Sequence, residues 1–220
     1  MDIVSQKLFL YIVIILSATF HEYAHGFVAY KLGDSTAKDA GRLTLNPFAH
    51  IDLIGTVIIP LFSLFYGGVF LGWAKPVPYN PYNLRDQKYG SLKVGIAGPA
   101  ANLLIALILG IFLRFASAGI FGQWSVVSSQ LSLVSGRWSL FLESLALIVF
   151  INIFLALFNL IPLPPLDGSK VLMDLFPKTA YAINRLGFLG IFLALILAFS
   201  LLSPAAKFIF WIITGSSFGF

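Results

Sequence analysis

His21, Glu22 and His25 fall within five residues of one another inside the apolar stretch LSATFHEYAHGFVAY. Their spacing is H-E-x-x-H. On a helix, positions i and i+4 share a face. Both imidazoles can then reach one metal ion, and Glu22 stands beside it as a base for an attacking water. Two histidines leave a catalytic zinc site one protein ligand short. His50, the third histidine, lies in the turn-forming stretch NPFAHID and is expected to serve turn packing or hydrogen bonding. Asp167 is the carboxylate, apart from Glu22, that is flanked by membrane-length apolar sequence, so it is the candidate third ligand.

The surroundings of Asp167 fit that role. In FNLIPLPPLDGSKVL (158–172) three prolines remove backbone donors and stop any continuous helix. Broken backbone at membrane depth is tolerated where it lines a polar cavity or is buried in protein. Gly168 permits a tight turn directly after Asp167. The competing reading is an interfacial turn in which Asp167 caps a helix over 169–175. Asn152 and Asn159 are seven apart, two helical turns, and share a face.

These groups need elements to hold them, and the composition names the class. Of 220 residues, 59% are hydrophobic and 10% charged, and the mean hydropathy is +0.92. A soluble domain could not cover that much apolar surface, so the chain reads as an all-α polytopic membrane protein. Five charge-poor segments approach the roughly 20 residues a span requires: 7–31, 53–72, 94–115, 138–161 and 186–213. The expectation is about four to six membrane helices in one membrane-embedded domain over 1–220. The alternating GRLTL suggests a short β element at 42–46. The loop 72–90, rich in proline and tyrosine, suits headgroup depth. The Ser- and Gly-containing 116–137 reads as a connector.

Parity constrains segment 53–72. His21 and His25 sit in the second half of the first span, and Asp167 follows the fourth segment. To share one ion, those two helices must run in the same direction, with an odd number of crossings between them. Segment 94–115 supplies one, so 53–72 is expected to be a re-entrant or hairpin element. Pro60 and Gly67–Gly68 mark where it could break or turn.

Charge and cysteine content exclude other chemistries. There is no cysteine, hence no disulfide and no thiolate ligand. The net charge of +5 lies in loops, which suits contact with anionic lipid and not nucleic acid. Glu22 interrupts the first apolar run, and no small-residue cleavage site follows it, so a cleaved leader is not expected.

HEYAH, GPAAN (98–102) and NLIPLPPLDG (159–168) together resemble the site-2 protease family of intramembrane zinc metalloproteases, over about residues 8–175. The length is similar to that of its compact subgroup, without PDZ or CBS domains. The resemblance implies one Zn2+ held by His21, His25 and Asp167, with Glu22 as catalytic base. It implies that Asn159 holds substrate or the oxyanion, and that Gly98, Pro99 and Asn102 form a third signature. It further implies a metalloendopeptidase that cleaves membrane proteins in or near a transmembrane helix. That enzyme would sit in the cell membrane with its active site toward the cytoplasm, its partners being membrane-protein substrates and the lipid bilayer. A membrane transporter or channel also uses intramembrane His and carboxylate groups, although no inverted repeat is visible. A catalytically inactive, membrane-protein-binding homologue would have no use for Glu22.

Overall fold

A computed structural model describes residues 3–66, 73–117, 132–185, 187 and 189–218. The helices among them are α1 (Ile3–Lys31), α2 (Thr36–Asp39), α3 (Ile59–Tyr66), α4 (Gly90–Ser117), α5 (Ser132–Asn159), α6 (Gly168–Leu175), α7 (Pro177–Asn184), α8 (Leu189–Leu197) and α9 (Ser203–Thr214). Four stretches are long and apolar enough to cross a membrane: Ser5–Lys31, Gly90–Ala116, Trp138–Asn159 and Phe192–Thr214. The fourth joins α8 to α9 through a π-helical stretch, Ala198–Leu202. The chain is thus a helical membrane protein with four candidate spans among the described residues, the low end of the expected range.

α4 packs against both α1 and α5, and the register of side chains fixes their directions. Along α1, Ser17, His21 and His25 advance by one turn each. Their α4 neighbours, Asn102, Gly98 and Val94, retreat by one turn each. α1 and α4 are therefore antiparallel. α5 repeats the pattern: Asn152 meets Asn102, and the segment after α5 brings Asp167 against Gly95. α1 and α5 run in the same direction, as a shared metal site requires.

Apolar packing secures this order. Ala106 and Leu113 of α4, Leu145, Val149 and Ile153 of α5, and Ala206 and Phe210 of α9 form one buried cluster. Gly110 lets α9 approach α4 closely, since a Cβ there would lie 2.4 Å from Ile213. A second cluster pins the proline-rich loop: Ile161, Leu163 and Leu166 bury against Ala194 of α8.

The expected β element at 42–46 is absent, and no strand occurs among the described residues. Alternation alone does not make a strand when local side chains take the backbone groups first. Here His50 Nε2–H donates to the Thr44 carbonyl, and Thr44 Oγ1 accepts from Asn46 N. The Asn46 side chain then caps the 3-10 turn Pro47–His50. His50 is buried and serves this turn, as its sequence context suggested.

Segment 53–72 begins as a π-helical turn, Leu53–Ile58, capped by the Asp52 carboxylate, and continues as α3. Residues near its start lie beside Trp73, the first described residue after it. Trp73 N–H donates to Gly55 O, and Thr56 Oγ1–H donates to Trp73 O. The indole lies on Gly55, where a Cβ would meet it at 2.4 Å. Gly55 and Trp73 are thus side by side, a proximity that a hairpin or re-entrant element would need. Gly67–Gly68 lies outside the described residues.

Candidate metal centre

His21 and His25 project from α1 toward α4, and the proline-rich loop delivers Asp167 to the same place. Gly168 makes that delivery possible: a Cβ there would stand 2.4 Å from the carbonyl oxygens of both Leu160 and Ile161, so the chain doubles back tightly on the end of α5. All three side chains are buried, and their ligand atoms lie within 4.8 Å of one another. Asp167 Oδ2 is 2.8 Å from His21 Nε2 and 3.0 Å from His25 Nε2. Asp167 occupies the N-cap position before α6, but its side chain makes no capping hydrogen bond, so the capping alternative does not describe it.

The tautomers of both imidazoles are set by what lies behind them. His25 Nδ1 is 2.6 Å from the carbonyl of Val94, a pure acceptor, so Nδ1 carries the proton. Pro99 loosens α4 at this level by removing the hydrogen bond to Gly95, next to Val94. The His21 tautomer is set through a chain of side chains. Asn152 Nδ2 donates to Ile148 O and to Ser17 Oγ, which turns Asn152 Oδ1 toward Asn102. Asn102 Nδ2 donates to that oxygen at 2.8 Å, which turns Asn102 Oδ1 toward His21. His21 Nδ1–H then donates to Asn102 Oδ1 at 2.6 Å.

Each Nε2 is consequently a bare lone pair, and both face a carboxylate oxygen. Three lone-pair donors this close, and buried, repel one another unless a cation lies among them. Gly98 keeps the space for one. A Cβ on Gly98 would fall 2.5 Å from Nε2 of both histidines. Two imidazoles and one carboxylate are the donor set of a hydrolytic zinc site. The residues fit the ion.

Asp167 is the site's acid outside the spanning helices. Burial opposes its ionisation. The charge of Lys170 favours it. Lys170 Nζ lies 2.7 Å from the other oxygen, Oδ1.

Glu22 stands apart from the three converging ligands. One of its carboxylate oxygens, Oε2, accepts the Val77 N–H at 2.7 Å. Val77 sits between Pro76 and Pro78, which have no N–H, so it is the one donor of that three-residue run. The run packs onto α1 at Gly26, where a Cβ would meet Val77 at 3.0 Å. It is anchored beyond by Asp34, buried at the end of α1, which accepts from Asn80 N and Asn83 Nδ2.

The structure brings His21, His25 and Asp167 together and places Glu22 on the same helix. It does not join Asn159 to them by a described hydrogen bond: its Nδ2 donates to Leu155 O, one turn back in α5. Sequence reasoning gave no role to Ser17, Val77 or Lys170, and noted Asn152 only for its face. The signal available for Ser17 and Asn152 was their polarity inside apolar helices, which calls for a buried partner.

No solved structure matches this chain. Curated proteins named "Putative zinc metalloprotease" are similar to it. YwhC of Bacillus subtilis (strain 168) is 36% identical over 92% of this chain and 84% of its own length. Rip2 of Mycolicibacterium smegmatis is 29% identical over 83% of this chain and 64% of its own. The profile described as peptidase family M50 matches residues 9–203, a range that takes in most of α1, the GPAAN turn of α4 and the loop carrying Asp167. With the two histidines and the aspartate gathered inside that range, the chain belongs to peptidase family M50, the site-2 proteases.

Proposed function

We propose that this protein is an intramembrane zinc endopeptidase that hydrolyses peptide bonds in or near the transmembrane segments of other membrane proteins, in regulated intramembrane proteolysis. The observation that carries the reading is the convergence of His21 Nε2, His25 Nε2 and Asp167 Oδ2 as bare lone pairs around the space that Gly98 leaves. These three would hold one zinc ion, whose bound form polarises a scissile carbonyl and acidifies water.

The chain's own residues do the rest. Glu22 takes the proton of the attacking water and returns it to the leaving amine. The Val77 N–H holds one carboxylate oxygen of Glu22, which fixes the orientation of the base. Asn159, near the C-terminal end of α5, is the candidate donor to the developing oxyanion and would have to turn its amide away from Leu155 O to serve. Asn102 and Asn152 keep His21 in the ligating tautomer.

A membrane-embedded substrate suits the setting. One turn before His21, a cavity of about 300 Å³ opens among α1, α4 and α5, lined by Leu16, Phe20, Ile105 and Ile148 with Ser17 and Asn152. A transmembrane helix hides its amides in its own hydrogen bonds, so the substrate must unwind locally to be cut. The site faces the cytoplasmic side of the cell membrane in this reading. The test is accumulation of membrane-protein substrates and loss of their cleaved fragments in cells whose enzyme carries Glu22→Gln. Unchanged fragment patterns would remove the proteolytic reading. A transporter would instead move ions across vesicles with Glu22→Gln in place.

A further inference from the structure

We propose that Lys170 is a positioning residue that sets how Asp167 meets the metal, by taking Oδ1 so that Oδ2 alone is the ligand. This rests on the zinc reading of His21, His25 and Asp167. A carboxylate can bind a cation through one oxygen or through both. Asp167 presents Oδ2 to the two imidazoles, while Oδ1 accepts the Lys170 ammonium at 2.7 Å.

Three features hold Lys170 in place. It stands on the first turn of α6, three residues after Asp167, and its N–H donates to the Asp167 carbonyl, so side chain and ligand are tied through one helical turn. Its stem lies along α4: a Cβ on Gly95 would be 3.1 Å from Lys170 Cβ and 3.6 Å from Cδ. The ammonium sits 5.5 Å from the centroid of the Tyr79 ring, within range of a cation–π contact. Tyr79 follows the run whose Val77 N–H holds Glu22, so one loop touches the groups beside both the base and the carboxylate ligand.

The charge balance makes the placement informative. A lysine close to a divalent-cation site is repelled by the ion, and for metal binding alone an apolar residue would serve better. What the lysine adds is a charge-assisted hydrogen bond that claims one oxygen. It leaves a weaker carboxylate donor and keeps a coordination position open for water or a substrate carbonyl, as catalytic zinc sites require.

Cobalt substitution tests this without reference to activity. Co2+ reports its coordination number in its visible absorption, which is intense for four ligands and weak for five. The wild-type protein and Lys170→Arg should bind one equivalent of Co2+ and show the intense bands. Lys170→Met should bind the ion and lose band intensity, as the freed Oδ1 joins the coordination sphere. A Lys170→Met spectrum equal to wild type would overturn the role of Lys170 and leave the metal site standing. A wild-type protein that binds no cobalt or zinc would remove the metal reading, and this inference with it. X-ray absorption at the zinc edge of the wild-type protein gives an answer that does not depend on the variant folding. A one-oxygen carboxylate supports the inference, and a two-oxygen carboxylate contradicts it.

Discussion

Asn102 Oδ1 lies 2.6 Å from His21 Nδ1, and both groups are buried. The asparagine cannot turn over, because its Nδ2 is committed to Asn152 Oδ1. A hydrogen-bond chain that starts at a backbone carbonyl of α5 thus ends by setting the tautomer of His21, the proposed ligand on α1. Loss of such an outer partner usually costs about 10–100-fold in metal affinity. Asn102→Leu should weaken zinc binding by that order and leave the helices intact. A competition titration with a chromophoric chelator measures it, and wild-type affinity in the variant would leave the network without a role at the metal.

Gly98→Ala is the sharpest steric test. Alanine is the better helix former by about 1 kcal/mol, so on backbone grounds the change should stabilise α4. Its Cβ, however, would fall 2.5 Å from both Nε2 atoms. The expected outcome is a folded protein without stoichiometric zinc, read by metal analysis beside a thermal melt. A Gly98→Ala protein with full zinc would show that the ion does not use that space.

The sequence made the candidate site legible where the spacing is local. H-E-x-x-H specifies a helical face within five residues, and the three prolines before Asp167 announce a broken segment. The supports were hidden because they are tertiary. Asn152 and Asn102 are 50 residues apart and meet only after α4 and α5 pack. Val77 reaches Glu22 across 55 residues. Residues 42–46 misled because their alternation imitates a strand, while the hydrogen bonds that cancel it come from His50 and Thr44 side chains. Parity did anticipate the common direction of α1 and α5, because it depends only on which segment carries which ligand.

The proximity of Gly55 and Trp73 has a topological consequence. If 53–72 does not cross, the residues before and after it share one side of the membrane. Single cysteines at Ser35 and Tyr82, introduced into a chain with no native cysteine, should both react with an impermeant maleimide from the same side. Labelling from opposite sides would make the segment a full crossing and break the parity of α1 and α5.

Asp34 gives the fold a pH dependence of known sign. Burial pushes its pKa up, but hydrogen bonds from Thr36, Asn80 and Asn83 overcome this and hold it below the ordinary carboxylate value. A carboxyl with a depressed folded-state pKa adds stability that is complete above its unfolded value of about 3.9 and is lost as the pH falls below it. Thermal melts in detergent should show wild type losing stability below about pH 4. Asp34→Asn should be less stable at pH 7 and flatter over the acid range. Parallel acid profiles would assign the acid sensitivity to other groups.

Asn159 is tested by rate and not by metal. If it donates to the oxyanion, Asn159→Leu should lower turnover about 100–1,000-fold, with zinc content unchanged. Wild-type turnover would return Asn159 to its hydrogen bond with Leu155 O as its whole role.

The proposed mechanism divides the labour: three side chains would hold the ion, and a fourth would move the proton. Metal analysis of four purified variants tests it most directly. His21→Ala, His25→Ala and Asp167→Ala should each lose stoichiometric zinc, and Glu22→Gln should retain it while losing cleavage. Full zinc in Asp167→Ala would contradict the account, because the proline-rich loop would then deliver its carboxylate to something other than the metal.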